Sequence, residues 1–202
     1  MSIKAAIFGG TFNPFHIGHY EMLKALCNDP LFDIVYVMPD KIPPHKTCDF
    51  LASDEDRINM CRIACEDFKK AHLLLTEFER EEKSYTADTV EILKSRFPDT
   101  DLFITVGSDM LETLDTWHDY KKLFLNASFV AFRRGNDYEN FNKNVLKMRE
   151  KGAIIKVMDN EITEISSTCL RDCLLPEFIP EKIYKYIRKK GITNDEAAIF
   201  RY

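Results

Sequence analysis

The sequence predicts an α/β fold in which a parallel sheet is flanked by helices. Three observations predict it. Short β-branched or aromatic runs alternate along the chain with longer amphipathic ones. The first run leads into Gly9-Gly10 and then a helix-like stretch, an order of strand, glycine turn and helix start. The 202 residues are 45% hydrophobic and 30% charged, a balance that supports a packed core. Alternating strands and helices put successive strands parallel, joined by right-handed crossovers. The expected organisation is a single domain over residues 1–202, with a C-terminal helical portion from about residue 166.

Each element has a local reason. Ile3–Phe8 is a short apolar run and reads as the first strand, followed by a helix over Ile17–Cys27. Ile34–Met38 is the second strand. Residues 39–51 hold Pro39, Pro43 and Pro44 and read as a long loop, a feature often tied to function. Ser53 is a plausible N-cap for a helix over Asp54–Lys69, with acidic residues in its first turn. Leu73–Thr76 is the third strand, and Ala87–Arg96 a helix stopped by Pro98. Leu102–Val106 and Ser128–Phe132 are strands followed by helices over Asp109–Leu114 and Asn140–Lys151. Ile154–Val157 is the last strand. Helices over Thr168–Cys173 and Pro180–Lys189 follow, the latter closed by a basic run and Gly191.

Charge and cysteines bound the function. A net charge of −5 and a pI of about 5.6 argue against nucleic acid as the main partner. A polyanionic ligand must therefore be held by local positive groups. No run approaches the roughly 20 apolar residues of a membrane span, and the N-terminal segment lacks the apolar core of a signal peptide. The six cysteines then read as reduced thiols of a cytoplasmic protein. Cys61/Cys65 and Cys169/Cys173 have a spacing compatible with zinc, but both pairs lie in helix-like stretches, so buried small hydrophobes are the expectation and no metal site is assigned.

The run Gly9-Gly10-Thr11-Phe12-Asn13-Pro14-Phe15-His16-Ile17-Gly18-His19 carries the chemistry. Glycines let the backbone approach a ligand, and a helix start offers unpaired N–H groups and a partial positive charge suited to phosphate. His16 and His19 can face one anion. Ligands of open α/β sheets bind beyond the carboxyl ends of the strands. There the chain also delivers Val106-Gly107-Ser108-Asp109 and Phe132-Arg133-Arg134-Gly135. Asp109 is placed to accept from a ribose or to cap the next helix. In Ile165-Ser166-Ser167-Thr168-Cys169-Leu170-Arg171, hydroxyls at a helix start precede a cationic fork, a second jaw for a triphosphate. Lys46, after Pro43-Pro44-His45, can reach a phosphate, and Trp117 can stack on a flat heterocycle or fill the core. Ser84-Tyr85-Thr86-Ala87-Asp88-Thr89 opens a helix as a plain N-cap or as a ligand contact. No Ser/His/Asp triad and no Walker lysine is present, which leaves direct transfer by positioning and electrostatics.

In this order, GGTFNPFHIGH, PPHK, SYTADT, GSDMLETLDTW and ISSTCLR resemble the bacterial nicotinate-nucleotide adenylyltransferases, from Ile3 to about Ile187. The resemblance implies a Rossmann-like fold that joins ATP and nicotinate mononucleotide into deamido-NAD and pyrophosphate, with Mg²⁺ accompanying the phosphates. It implies that His16 and His19 contact ATP phosphates, with Gly9, Gly10, Thr11, Phe12 and Gly18 around them. Ser167, Thr168 and Arg171 would hold the pyrophosphate end, and Gly107 and Asp109 line the nucleotide site. Thr86 and Trp117 would border the nicotinate ring, and Lys46 approach the phosphates. Two positions depart from the family pattern: Asn13 stands where many relatives have Asp, and Arg133-Arg134-Gly135 where many have Arg-Pro-Gly. His16-Ile17-Gly18-His19 also matches the adenylate-binding signature of class I aminoacyl-tRNA synthetases. Adenylyltransferases for pantetheine phosphate, flavin mononucleotide or nicotinamide mononucleotide, and a non-catalytic nucleotide sensor, remain as alternatives.

Overall fold

The computed structural model describes residues 2–41, 52–80, 85–133, 135 and 137–192. Lys46, its Pro43-Pro44-His45 neighbours, Cys48, Ser84 and Arg134 lie outside the described residues. The strands are β1 (Ile3–Gly10), β2 (Ile34–Pro39), β3 (Ala71–Leu73), β4 (Thr100–Gly107), β5 (Ser128–Phe132) and β6 (Ile155–Met158). They form one sheet in the order β3-β2-β1-β4-β5-β6, every neighbour parallel. That is the doubly wound Rossmann order. The helices are α1 (Ile17–Asn28), α2 (Asp54–Cys65), α3 (Thr86–Arg96), α4 (Ser108–Glu112), α5 (Tyr120–Asn126), α6 (Tyr138–Glu150), α7 (Ser167–Asp172) and α8 (Glu181–Lys190).

Strand alternation divides the core between the two faces of the sheet. In β1, Ala6 and Phe8 join Val35 and Val37 of β2 against Leu23 and Leu26 of α1 and Met60 of α2. Ala5 and Ile7 face the other way, with Leu102, Ile104 and Val106 of β4, against Leu93 of α3, Phe124 of α5 and Met148 of α6. A period of two along a strand dictates this split. Helix α8 joins the first face through Ile183 and Ile187, and Tyr186 donates to Asp56 Oδ1 at 2.7 Å.

Four elements differ from the sequence expectation. Strand β3 begins at Ala71 and ends at Leu73, and Thr76–Glu79 form a 3₁₀ turn instead of the strand's end. Among the described residues this strand is an edge paired with β2 alone, and its chain turns inward to bury Glu77 beside Thr89. Helix α2 stops at Cys65, because the chain must turn for Ala71 to enter the sheet; Lys70 is fixed there by the carbonyls of Asp29 and Phe32. Helix α5 was not expected from the sequence. It is seven residues long and shows only Leu123 and Phe124 as buried positions, too few for a visible period. Helix α6 starts earlier than expected, at Tyr138, capped by Asp137, which accepts from the Asn140 N–H at 3.0 Å.

The cysteine expectation also divides. Cys27 and Cys61 are buried and Cys65 half-buried, but Cys169 and Cys173 are exposed, because α7 turns that side to solvent. Burial pushes the Cys27 thiol up to about 11 and the Cys65 thiol up to about 12, and raises Cys61 well above the ordinary value. A thiol with so little thiolate is a poor nucleophile at neutral pH. Labelling of the native protein with a disulfide reagent, mapped by mass spectrometry, should therefore mark Cys169 and Cys173 and leave Cys27, Cys61 and Cys65 unmodified until denaturant is added. Rapid native labelling of Cys61 would contradict the packing of α2.

Candidate active site

Successive strands wind outward in opposite directions from β1 and β4, which leaves a crevice beyond their carboxyl ends. Gly10 closes β1, and Gly107 closes β4 opposite Phe132 of β5. The loop from Thr11 to His16 lies over this crevice. It is tightly wound: Phe12 has a φ of 50°, in the left-handed region, and the Asn13–Pro14 peptide is cis. Left-handed backbone at a bulky residue costs about 1–3 kcal/mol. Packing offsets it, since the Phe12 ring is 1% exposed, stacks on Phe15 at 5.0 Å and meets His19 edge-on at 5.0 Å. A Cβ at Gly10 would lie 3.1 Å from the Phe12 ring, so glycine allows this turn to close.

His16 and His19 cap α1 reciprocally. The Nδ1 of His16 accepts from the His19 N–H, and the Nδ1 of His19 accepts from the His16 N–H, both at 3.3 Å. The rings stack with centroids 3.5 Å apart and planes 18° apart. A ring nitrogen that accepts a backbone N–H carries no proton, so each neutral ring holds its proton on Nε2. The pair therefore forms one unit at the helix start, with His16 2% exposed.

Three side chains take up carbonyl groups around the loop. Arg57 of α2 is fully buried and donates through Nη1 to the carbonyls of Thr11 at 3.1 Å and Asp40 at 2.5 Å. Its Nη2 pairs with Asp54 at 2.5 Å. Arg171 of α7 donates to the Asn13 carbonyl at 3.0 Å and to Thr168 Oγ1 at 2.9 Å, and Ser167 Oγ donates to the Pro14 carbonyl at 3.1 Å. Helix α7 is thus docked on the loop, so the expected two jaws are in direct contact. Asn13 is 2% exposed, and its side-chain oxygen accepts from the Ala52 N–H at 3.1 Å.

The segment before α7 is tied to α1 as well. Glu21 accepts from the Thr163 N–H at 2.7 Å and from its hydroxyl at 2.9 Å. A Cβ on Gly18 would come within 2.9 Å of the Thr163 carbonyl oxygen, so this close approach requires glycine. Neither Arg57 nor Glu21 was expected from the sequence. Arg57 follows the Ser53 cap in an amphipathic helix, but no local signal says which carbonyls it will reach.

The remaining predicted residues are distributed around the same edge. Gly107 is buried and is itself the N-cap of α4, whereas Asp109 is exposed in that helix's first turn; of the two roles open to Asp109, the cap does not occur. Thr168 is exposed and Ser166 is the N-cap of α7, accepting from the Cys169 N–H at 3.2 Å. Thr86 begins α3, and Trp117 is half-buried after a 3₁₀ turn, packed on the α3 face of the core. Tyr85 and His118, beside those two residues, meet as tilted rings with centroids 4.5 Å apart, which brings their segments together. Arg133 leaves β5 and lies over the Tyr138 ring at 3.3 Å.

Residues 7–172 match the family described as cytidylyltransferase-like. The nicotinate-nucleotide adenylyltransferase of Bacillus subtilis (strain 168) is 32% identical over 194 residues, 94% of this chain and 97% of that protein. The chain belongs to the nicotinate-nucleotide adenylyltransferases. A probable nicotinate-nucleotide adenylyltransferase of Enterococcus faecalis is 34% identical over 198 residues, covering 96% of this chain and 86% of that relative. Among solved structures, the Plasmodium falciparum nicotinic acid mononucleotide adenylyltransferase complexed with NaAD superposes with a TM-score of 0.74 at 21% identity, over 94% of this chain and 96% of that one. The likeness supports the Rossmann-like fold of this adenylyltransferase.

Arg57 links β1, β2 and α2 from a fully buried position. Arg57→Ala should lower unfolding free energy by on the order of 3 kcal/mol, because carbonyls lose charged donors and a cavity opens. Arg57→Lys should restore little, since one ammonium cannot reproduce the fork. Urea unfolding of the three proteins checks this; a loss below about 1 kcal/mol for the alanine variant would contradict it.

Proposed function

We propose that this adenylyltransferase transfers the adenylyl group of ATP to nicotinate mononucleotide, forming deamido-NAD and pyrophosphate in NAD biosynthesis. The observation that carries the reading is the histidine-capped start of α1, locked against α7 at the crevice between β1 and β4. A phosphate oxygen of the mononucleotide attacks the α-phosphorus of ATP in line. The bond from that phosphorus to the bridging oxygen breaks, and pyrophosphate leaves with the electron pair. A phosphate monoester is already ionised at neutral pH, with a second pKa near 6. No general base is needed, and the protein's work is to place two polyanions together and stabilise the leaving group.

In this scheme His16 and His19 donate to the ATP phosphates, above a backbone brought close by Gly9, Gly10, Thr11, Phe12 and Gly18. Ser167, Thr168 and Arg171 stabilise the pyrophosphate. Arg171 has five N–H donors, so its bonds to Asn13 and Thr168 leave further donors in its fork. Gly107 and Asp109 line the adenosine side. Thr86 and Trp117 border the pyridine, and Lys46 approaches the phosphates. Mg²⁺ travels with the ATP phosphates. Mg²⁺ is commonly held through substrate phosphates with few protein ligands. A cytoplasmic location is part of this reading, since the reaction consumes ATP. Among the described residues no helix is long and apolar enough to cross a membrane.

The start of α3 supplies backbone N–H groups beside the ring substituent. A carboxylate only accepts, whereas a carboxamide would turn its NH₂ toward a donor. Hydrogen bonds to a charged group contribute roughly 1.5–3 kcal/mol, which corresponds to about ten- to a hundredfold in kcat/KM. Purified protein with ATP and Mg²⁺ should release pyrophosphate when nicotinate mononucleotide is added. It should do so with that advantage over nicotinamide mononucleotide, and show no such response to pantetheine phosphate or flavin mononucleotide. A preference for the amide would overturn the substrate assignment, and release without any mononucleotide would overturn the transfer reaction.

A further inference from the structure

Glu77 lies in the 3₁₀ turn after β3 and is 2% exposed. Its Oε1 is within hydrogen-bonding reach of Thr89 Oγ1, and its buried Oε2 has no partner. Thr89, 1% exposed, closes the first turn of α3. The same Thr89 oxygen lies 3.2 Å from the carbonyl oxygen of Tyr85, the N-cap residue of that helix. A threonine hydroxyl has one proton to give. The Tyr85 carbonyl already accepts the Thr89 N–H at 3.1 Å, so it does not depend on the hydroxyl proton. With Glu77 protonated, the acid donates to Thr89 Oγ1 and frees that hydroxyl to give the same carbonyl a second bond. The unpartnered Oε2 favours this state, because a buried ionised oxygen without a partner is far more costly than the carbonyl of a neutral acid.

We propose that Glu77 is held as the neutral acid and, through Thr89 and the Tyr85 carbonyl, positions the start of α3 to receive an anionic pyridine substrate. The proposal rests on the reading of that helix start as a wall of the pyridine site. A neutral Glu77 leaves the partial positive charge of the helix start available to the substrate carboxylate. An ionised Glu77 behind the same turn would offset that charge, repel the carboxylate and draw the Thr89 hydroxyl away from the Tyr85 carbonyl, leaving it the backbone bond alone. The surroundings are consistent with this state. Burial raises the Glu77 pKa, while the Thr89 contact and Arg80 lower it and Asp88 raises it. Arg80 and Asp88 pair with each other at 3.3 Å, which reduces their net field on Glu77. Lys41 is engaged by the Arg80 carbonyl, and β2, which packs on this turn, brings only Tyr36 as a titratable side chain.

The linkage has a definite sign. An acid with a higher pKa folded than unfolded binds more protons in the folded state between the two values. Its contribution is complete below the unfolded pKa, falls as pH rises toward the folded pKa and is lost above it. Glu77→Gln keeps a donor for Thr89 and has no proton to lose. Its stability relative to wild type should therefore rise with pH from the ordinary glutamate value upward, in urea unfolding of the substrate-free proteins. Parallel stability curves would overturn the neutral acid whatever the substrate is.

Steady-state kinetics from roughly pH 6 to about pH 9 supply the second arm. In the wild type, KM for nicotinate mononucleotide should climb toward the alkaline end. In Glu77→Gln it should lack that climb, and the comparison cancels ionisation of the substrate. Thr89→Val should raise this KM roughly tenfold across the range while moving the KM for ATP little. A Gln variant with the wild-type pH profile, or a Val variant that weakens both substrates equally, would overturn the positioning role. Absence of any turnover of nicotinate mononucleotide by the wild type would instead be a failure of the proposed function, and the urea arm would still decide the state of Glu77.

Discussion

The carbonyl oxygens of the β1–α1 loop have to be turned away from any anion that binds there, and the rest of the site depends on that constraint. Arg57 takes the Thr11 carbonyl from below, and Arg171 and Ser167 take those of Asn13 and Pro14 from α7. Each bond places a partial negative charge against a guanidinium or hydroxyl. What the loop then presents at the start of α1 is the donor character of the helix end and of a histidine pair that caps it. The left-handed Phe12 and the aromatic cluster around it hold the turn in the shape that these bonds require. Such a loop reaches its anion-ready form before a ligand arrives, which is the condition for electrostatic stabilisation without reorganisation during the reaction.

This arrangement resolves the conflict between an acidic chain and polyanionic substrates. A net charge of −5 offers no general attraction for ATP. In the proposed function the attraction is local, concentrated where β1, β4 and α7 converge, and much of it comes from backbone and imidazole donors. As proposed, the buried Glu77–Thr89 pair extends the same logic to the neighbouring helix, where a neutral acid adds no further negative charge behind the start that would receive a carboxylate.

Much of this was legible in the sequence because its signals are local. A glycine turn between an apolar run and an amphipathic one marks a strand-to-helix junction, as at Gly9-Gly10, and the alternation of six apolar runs with amphipathic ones dictates a parallel sheet. The histidines and the Ser-Ser-Thr run were readable as donors at helix starts. Their direct contact was not, since it depends on Arg171 and Ser167 meeting carbonyls more than a hundred residues away in sequence. Arg57 and Glu77 were invisible for a related reason: a charged residue reads as solvated until tertiary packing shows its exposure to be 0% and 2%. Helix α5 and the 3₁₀ turn after β3 are too short for periodicity to reveal. Cys169 and Cys173 were misread because a helix this short does not disclose which side faces solvent.

The central claim is that the two polyanions are brought together and the adenylyl group moves directly between them, with no covalent stop on the protein. Stereochemistry at the transferred phosphorus tests it most directly. ATP carrying sulfur in place of one α-phosphate oxygen, in a single configuration, can be turned over with nicotinate mononucleotide, and the configuration of the thio-substituted dinucleotide read by phosphorus NMR. A single in-line displacement predicts inversion. Retention of configuration would require a second displacement through an adenylylated side chain and would contradict the account.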